Sequence, residues 1–265
     1  MGRRRLDAEL VRRGLAGSRA EAQEAVRAGH VTVRGAQATK STTLVGMDEA
    51  VVVAWPARRF VSRGGEKLAA ALDAFSIDPS GRDCLDAGAS TGGFTDCMLQ
   101  RGARHVVALD VGSGQLAWEL RTDPRVTILE KTNVRELDRG LLPYRPSLLT
   151  ADLSFISLRL AVGPLIQVAE PAADLVLLIK PQFEARRDHV ERGGVVRDPD
   201  TWRKAIEEVA EGMRAAGAGG TGLIVSPVLG PAGNVEFLLH ARAGDAAISL
   251  DIDGALEAAG KLAMR

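Results

Sequence analysis

Cysteine is nearly absent from this chain of 265 residues. Cys84 and Cys97 provide neither a disulfide framework nor a zinc spacing, and His30, His105, His189 and His240 are scattered, so no metal is expected. No apolar run approaches the roughly 20 residues of a membrane span. The basic start runs into Asp7 and Glu9 instead of an apolar segment, against a signal peptide, and position 6 is Leu where a myristoylation signal wants a hydroxyl. Net charge is also missing. A reduced, cytoplasmic, monomeric protein with no membrane partner is expected, and its 46% hydrophobic content supports a real core. Its length suits one large domain and one small one.

The charge is unevenly spread. Within the first 40 residues Arg3, Arg4, Arg5, Arg12, Arg13, Arg19, Arg27, Arg34 and Lys40 face only Asp7, Glu9, Glu21 and Glu24, an excess of five positive charges that the remainder must offset. Such a basic module is a handle for a polyanion. Leu6, Leu10 and Val11 share a helical face that Gly14 closes, and Ser18 with Glu21 forms a capping box for a second helix ending at Gly29. His30 to Arg34 alternates as a strand, Gly35 turns it, and Val51 to Ala54 is a second strand. The runs Leu10-Val-Arg-Arg-Gly-Leu-Ala-Gly-Ser-Arg19 and Ala25-Val-Arg-Ala-Gly-His-Val-Thr-Val-Arg-Gly35 resemble the small RNA-binding domain of ribosomal protein S-four. Residues 1–54 are therefore expected to be a small α+β RNA-binding domain, with 55–66 as linker and 67–265 as the second domain.

In that second domain strands alternate with helices: Cys84 to Asp86, His105 to Asp110, Val126 to Leu129, Leu148 to Asp152, Leu175 to Lys180, Gly222 to Ser226 and Val235 to Ala241. The pattern predicts an α/β Rossmann-like fold, a parallel sheet of seven strands with helices on both faces. Ligands in such sheets sit beyond the carboxyl ends of the strands. Asp86-Ala-Gly-Ala-Ser-Thr-Gly-Gly-Phe94 reads as strand, glycine loop and helix start, a nucleotide-binding turn. Ser90 stands where a dinucleotide fingerprint needs glycine, and a carboxylate at Asp86 repels pyrophosphate but suits the sulfonium and ammonium of S-adenosylmethionine. Gly88, Ser90, Thr91, Gly92, Gly93 and Phe94 are the expected contacts of that cofactor. Asp110 ends the second strand where ribose hydroxyls would lie, or is a turn residue; Asn133 is placed for the adenine, or caps the next helix.

Charged residues at strand ends carry the chemistry. Asp152 closes the fourth strand, and Lys180 follows five aliphatic residues at the end of the next. A lysine partly removed from water with another cation nearby can act as a base. Glu236 is a charge among apolar neighbours and wants a partner. Lys67 stands in the first turn of a helix, the wrong sign for the dipole.

Phe60-Val-Ser-Arg-Gly-Gly-Glu-Lys-Leu68, the glycine loop, Asp152-Leu-Ser-Phe-Ile-Ser157, Lys180-Pro-Gln-Phe-Glu184 and Gly233-Asn-Val-Glu-Phe237 occur in order, and with the basic start they resemble the TlyA family over nearly the full length. These are bacterial ribosomal RNA cytidine 2′-O-methyltransferases, often labelled haemolysin A, whose catalytic domain is similar to the FtsJ methyltransferases. The resemblance implies a catalytic tetrad of Lys67, Asp152, Lys180 and Glu236, with ribosomal RNA in both subunits as partner. Lys180 is expected to be the base. Arg4, Arg5, Arg12, Arg13, Arg19, Arg27, Arg34 and Arg63 are the expected RNA contacts. A nicotinamide dehydrogenase using the same crevice, a non-catalytic RNA-binding or assembly factor and a membrane-active haemolysin are the alternatives; the intact tetrad and the lack of a spanning stretch oppose the last two.

Overall fold

Apolar residues four apart on the first helix close a small core of their own. In a computed structural model of the chain, which describes residues 3–54, 59–186, 189–191, 193–245 and 249–264, two units are distinct, Met1–Arg58 and Arg59–Arg265. In the first, β1 (Arg4–Arg5) runs directly into α1 (Leu6–Arg12), and α2 (Arg19–Arg27) follows. The Ser18 hydroxyl accepts the Glu21 N–H at 3.1 Å, while the Glu21 carboxylate returns to the Gly17 N–H at 2.6 Å, one residue earlier than a strict capping box. β2 (Val31–Val33) turns through Arg34 and Gly35, both at positive φ, into β3 (Ala36–Gln37); β4 (Leu44–Val45) pairs with β1 and β5 (Val51–Val53) with β2. Leu6, Leu10, Ala22, Val26, Val31 and Val45 fill the core. Strands of two residues are too short to show a period, so β1, β3 and β4 were not readable in the sequence.

The second unit begins earlier than expected. Residues 55–58 of the expected linker lie outside the described residues, but Phe60 is buried, the Val61 N–H donates to the Asp96 carboxylate at 2.8 Å, and α3 (Gly64–Phe75) starts two residues before Glu66. Then follow β6 (Asp83–Ala87), α4 (Gly93–Gln100), β7 (His105–Leu109), α5 (Trp118–Arg121), β8 (Val126–Leu129), β9 (Leu148–Ala151), α6 (Val162–Val168), β10 (Asp174–Ile179), α7 (Pro181–Glu184), α8 (Pro199–Ala215), β11 (Ala218–Val225), β12 (Phe237–Ala243) and α9 (Ile252–Ala263).

The seven strands form one sheet in the order β11-β12-β10-β9-β6-β7-β8. Strands β8, β7, β6, β9 and β10 are parallel, but β12 is antiparallel to both of its neighbours, which corrects the all-parallel expectation. The physical reason is the connection. Residues 226–236 contain no helix, and a return without a crossover helix reverses the strand. Successive residues feed opposite faces: Cys84, Val106 and Val176 pack with Leu68, Leu72 and Met98 of α3 and α4, while Leu85, Val107 and Leu177 pack with Leu165, Ile206 and Val209 of α6 and α8. Burial on both faces is why the central strands read as unbroken apolar runs.

Candidate active site

Register places the chemistry. Ala87 of β6 lies beside Ala151 of β9, Ala151 beside Leu177 of β10, and Ile179 beside Phe237 of β12. The residues that follow β9 and β10, Asp152 and Lys180, therefore emerge at one edge of the sheet. Because β12 runs the other way, the residue just before it, Glu236, arrives at that same edge. Lys67 reaches it from α3, and the four expected tetrad residues are brought together.

They form two ion pairs. Lys67 Nζ lies 2.5 Å from Glu236 Oε2, and Lys180 Nζ lies 2.5 Å from Asp152 Oδ1 and 3.0 Å from the Ser154 hydroxyl. Burial raises the Glu236 carboxyl above its ordinary range, against the opposing charge of Lys67; Lys180 and Asp152 also lie within its electrostatic reach. A cavity of about 250 Å³ is lined by Lys67, Asp152, Lys180, Ser62, Arg63 and Ser154 together with Gly88, Ser90, Thr91, Gly93 and Phe94 of the loop. Glu236 stands behind Lys67 and outside this lining.

A second cleft, of about 780 Å³, shares Gly88, Ser90, Asp152 and Ser154 with the first and extends past Asp110, Asn133, Val134 and Leu160. Its size is that of a small-molecule site. Asp110 accepts the N–H groups of Ser90 at 2.8 Å and Gly112 at 2.7 Å, so its carboxylate is held at the cleft wall. Asn133 does cap the next turn, taking the Arg135 N–H at 3.1 Å, and lines the cleft as well. Phe155, at φ 64° and 91% exposed, leans on Phe183 at the rim.

The glycine loop divides its work differently from the expectation. Gly88 has φ 84°, and a Cβ there would overlap the Asp152 carbonyl, so the close approach is to the chain's own segment after β9. Gly92, at φ 98°, lines neither cavity; a side chain would strike Leu116 and Leu120. Asp86 lies deeper. It is fully buried, absent from both linings, and accepts the Thr95 N–H at 2.8 Å, the Thr95 hydroxyl at 2.7 Å and the Thr150 hydroxyl at 3.1 Å. Burial pushes its carboxyl up to about 7 in spite of these donors. These contacts anchor the start of α4 to the sheet.

Two residues escaped the sequence reading. Ser154 holds Lys180, and buried Glu184 accepts the Ser157 hydroxyl at 2.5 Å and the Leu158 N–H at 2.7 Å, tying the segment after Asp152 to the segment after Lys180. Both lie inside motifs that the resemblance singled out, which was the available signal. Among the expected RNA contacts, Arg4 and Arg27 are exposed, and Arg5, Arg12, Arg19 and Arg34 are exposed while paired with buried carboxylates. Arg13 is turned inward, donating to Glu9 and to the backbone carbonyls of Gly46, Met47 and Glu49.

Residues 60–243 match the FtsJ-like methyltransferase family, and residues 4–50 match the S4 domain. The chain is 51% identical over 241 residues to the 16S/23S rRNA (cytidine-2'-O)-methyltransferase TlyA of Mycobacterium tuberculosis, covering 91% of this chain and 90% of that one. It is 38% identical to the hemolysin A of Brachyspira hyodysenteriae, over 89% and 98% of the two chains. A solved structure from Streptococcus thermophilus superposes with a TM-score of 0.80 at 36% identity, covering 99% of this chain and 97% of that one. None of the described helices is long and apolar enough to cross a membrane. The chain belongs to the TlyA family, joining an S4 domain to an FtsJ-like methyltransferase domain.

Proposed function

We propose that this protein transfers a methyl group from S-adenosylmethionine to the 2′-hydroxyl of cytidine in ribosomal RNA of the small subunit, the large subunit or both. The observation that carries the proposal is the junction of the two cavities: the larger cleft opens, at Gly88, Ser90, Asp152 and Ser154, onto a smaller one walled by two lysines. The residues present fit the cofactor. Asp110 supplies acceptors for a ribose diol, and Asn133 and Val134 suit a flat heterocycle. Bound there, S-adenosylmethionine supplies an electrophilic methyl group on sulfur.

A ribose hydroxyl attacks only once its proton is taken. Lys180, once it has released to solvent the proton it carries in its pair with Asp152, would take the proton of the 2′-hydroxyl, with Asp152 and Ser154 holding its amine in place. Lys67, fixed by Glu236, presents its ammonium to the same cavity and stabilises the oxygen as it gains charge. Two bound substrates must be aligned in line, so the shared wall between cavities matters more than any single contact. The N-terminal unit holds structured RNA through phosphate contacts, since duplex RNA offers few readable base edges.

The test is incubation with labelled S-adenosylmethionine and separated ribosomal subunits from a strain lacking the modification, followed by mapping of the labelled nucleotide. Label on a cytidine ribose is expected. Label on a base, or none in either subunit, would refute the proposal.

A further inference from the structure

The first unit carries Asp7, Glu9 and Glu49, three buried carboxylates in a module whose positive charge is its evident asset. Each holds two arginines. Asp7 takes Arg5 through both oxygens, at 3.1 and 2.8 Å, Arg19 at 3.4 Å, and Gln23 at 2.9 Å. Glu49 Oε1 takes Arg3 at 3.1 Å and Arg34 at 2.9 Å. Glu9 takes Arg12 at 2.6 Å and Arg13 at 2.8 Å, and there the inward Arg13 ties the pair to the fold.

The Asp7 and Glu49 pairs face the other way. Both carboxylates are at most 7% exposed, whereas the four guanidinium side chains they hold are 43% to 69% exposed. A guanidinium has five N–H donors, so one edge can rest on the carboxylate while the other faces outward. Arg3 and Arg5 flank Arg4 along an extended segment, so strand alternation sends them to one side. An arginine tethered in this way has already lost the rotamer freedom that a free one loses on binding phosphate. A module that merely maximised positive potential would have no carboxylates beneath its arginines.

We infer that Asp7 and Glu49 are positioning residues for RNA docking, each presetting a pair of arginines, Arg5 with Arg19 and Arg3 with Arg34, as a two-headed receptor for backbone phosphates. The inference rests on the reading of this unit as the RNA-binding part of the enzyme. The Arg5 fork holds the Asp7 carboxyl well below the usual carboxylate range, so the tether stays charged.

The sign of the effect makes the test decisive. Asp7→Asn and Glu49→Gln each remove a negative charge from a polyanion-binding module, so bulk electrostatics alone makes binding tighter. Positioning makes it weaker. In the full chain each variant is expected to raise KM for the ribosomal subunit roughly fivefold to tenfold with kcat unchanged, and to flatten the slope of log affinity against log salt by about one for each phosphate no longer engaged. Glu49→Asp, which keeps the charge, should recover part of the affinity. If Asp7→Asn melts below assay temperature, Glu49→Gln decides alone. Variants that bind subunits as tightly as the wild type, or more tightly, overturn the inference and leave the RNA-binding reading intact. A wild-type chain whose subunit binding does not depend on the first unit, shown by deleting residues 1–54, overturns both.

Discussion

Lys67 and Glu236 lie 169 residues apart in sequence and meet at 2.5 Å, with side chains 8% and 1% exposed. Removing one member of a buried pair leaves an uncompensated group that costs about 3–5 kcal/mol, while replacing both by apolar residues is often neutral. Glu236 already sits above its ordinary range, so it can take up a proton when Lys67 is lost, placing the cost at the lower end.

Lys67→Met is therefore expected to destabilise the fold by about 3 kcal/mol and to abolish methyl transfer. Adding Glu236→Leu should restore stability without restoring turnover. Urea unfolding and a transfer assay on the same preparations separate the two effects; a double variant that regains activity would mean that the pair is structural only.

Lys180→Met should lower kcat by roughly 10²- to 10⁴-fold, the usual contribution of a positioned base. Because Lys180 lines the smaller cavity and not the larger cleft, S-adenosylmethionine affinity measured by calorimetry should be unchanged. Retained turnover would remove Lys180 from its role.

Asp86→Asn tests the buried carboxylate. Its folded value is raised to about 7, above that of an unfolded aspartate, so its contribution is fully present at low pH and is lost as pH rises through about 7. About three pH units of displacement set an upper bound near 4 kcal/mol. The stability of the asparagine variant relative to the wild type should thus increase from pH 4 to pH 8. A pH-independent difference would show that Asp86 is not the group responsible.

Gly88→Ala would force a Cβ into the Asp152 carbonyl, so kcat should fall at least tenfold through displacement of the tetrad. Gly81→Ala is the control. Gly81 also has positive φ, at 69°, but open space around it, so it should cost about 1 kcal/mol of stability and leave turnover intact. Equal losses of activity in both variants would assign the effect to backbone strain.

The strands were legible because burial on both faces leaves unbroken apolar runs, and each run ends where a polar residue appears. Asp152 and Lys180 stood out for that reason, and Glu236 because a carboxylate just before Phe237-Leu-Leu239 has no business there without a cation. Such signals are local. They arise from the contrast between a residue and its immediate neighbours.

Tertiary structure alone decided the rest, because each of those outcomes depends on a partner distant along the chain. Either carboxylate could have met either lysine; the antiparallel direction of β12 set Glu236 against Lys67 and left Asp152 with Lys180. That Thr95 and Thr150 close around the Asp86 carboxylate is likewise invisible in the sequence. The arginines of the first unit look equivalent in the sequence, yet Arg13 is turned to Gly46 and Met47 while Arg5 is held outward by Asp7. Local contrast identifies which residues must find a partner; only the packing of the sheet and helices determines which partner it is.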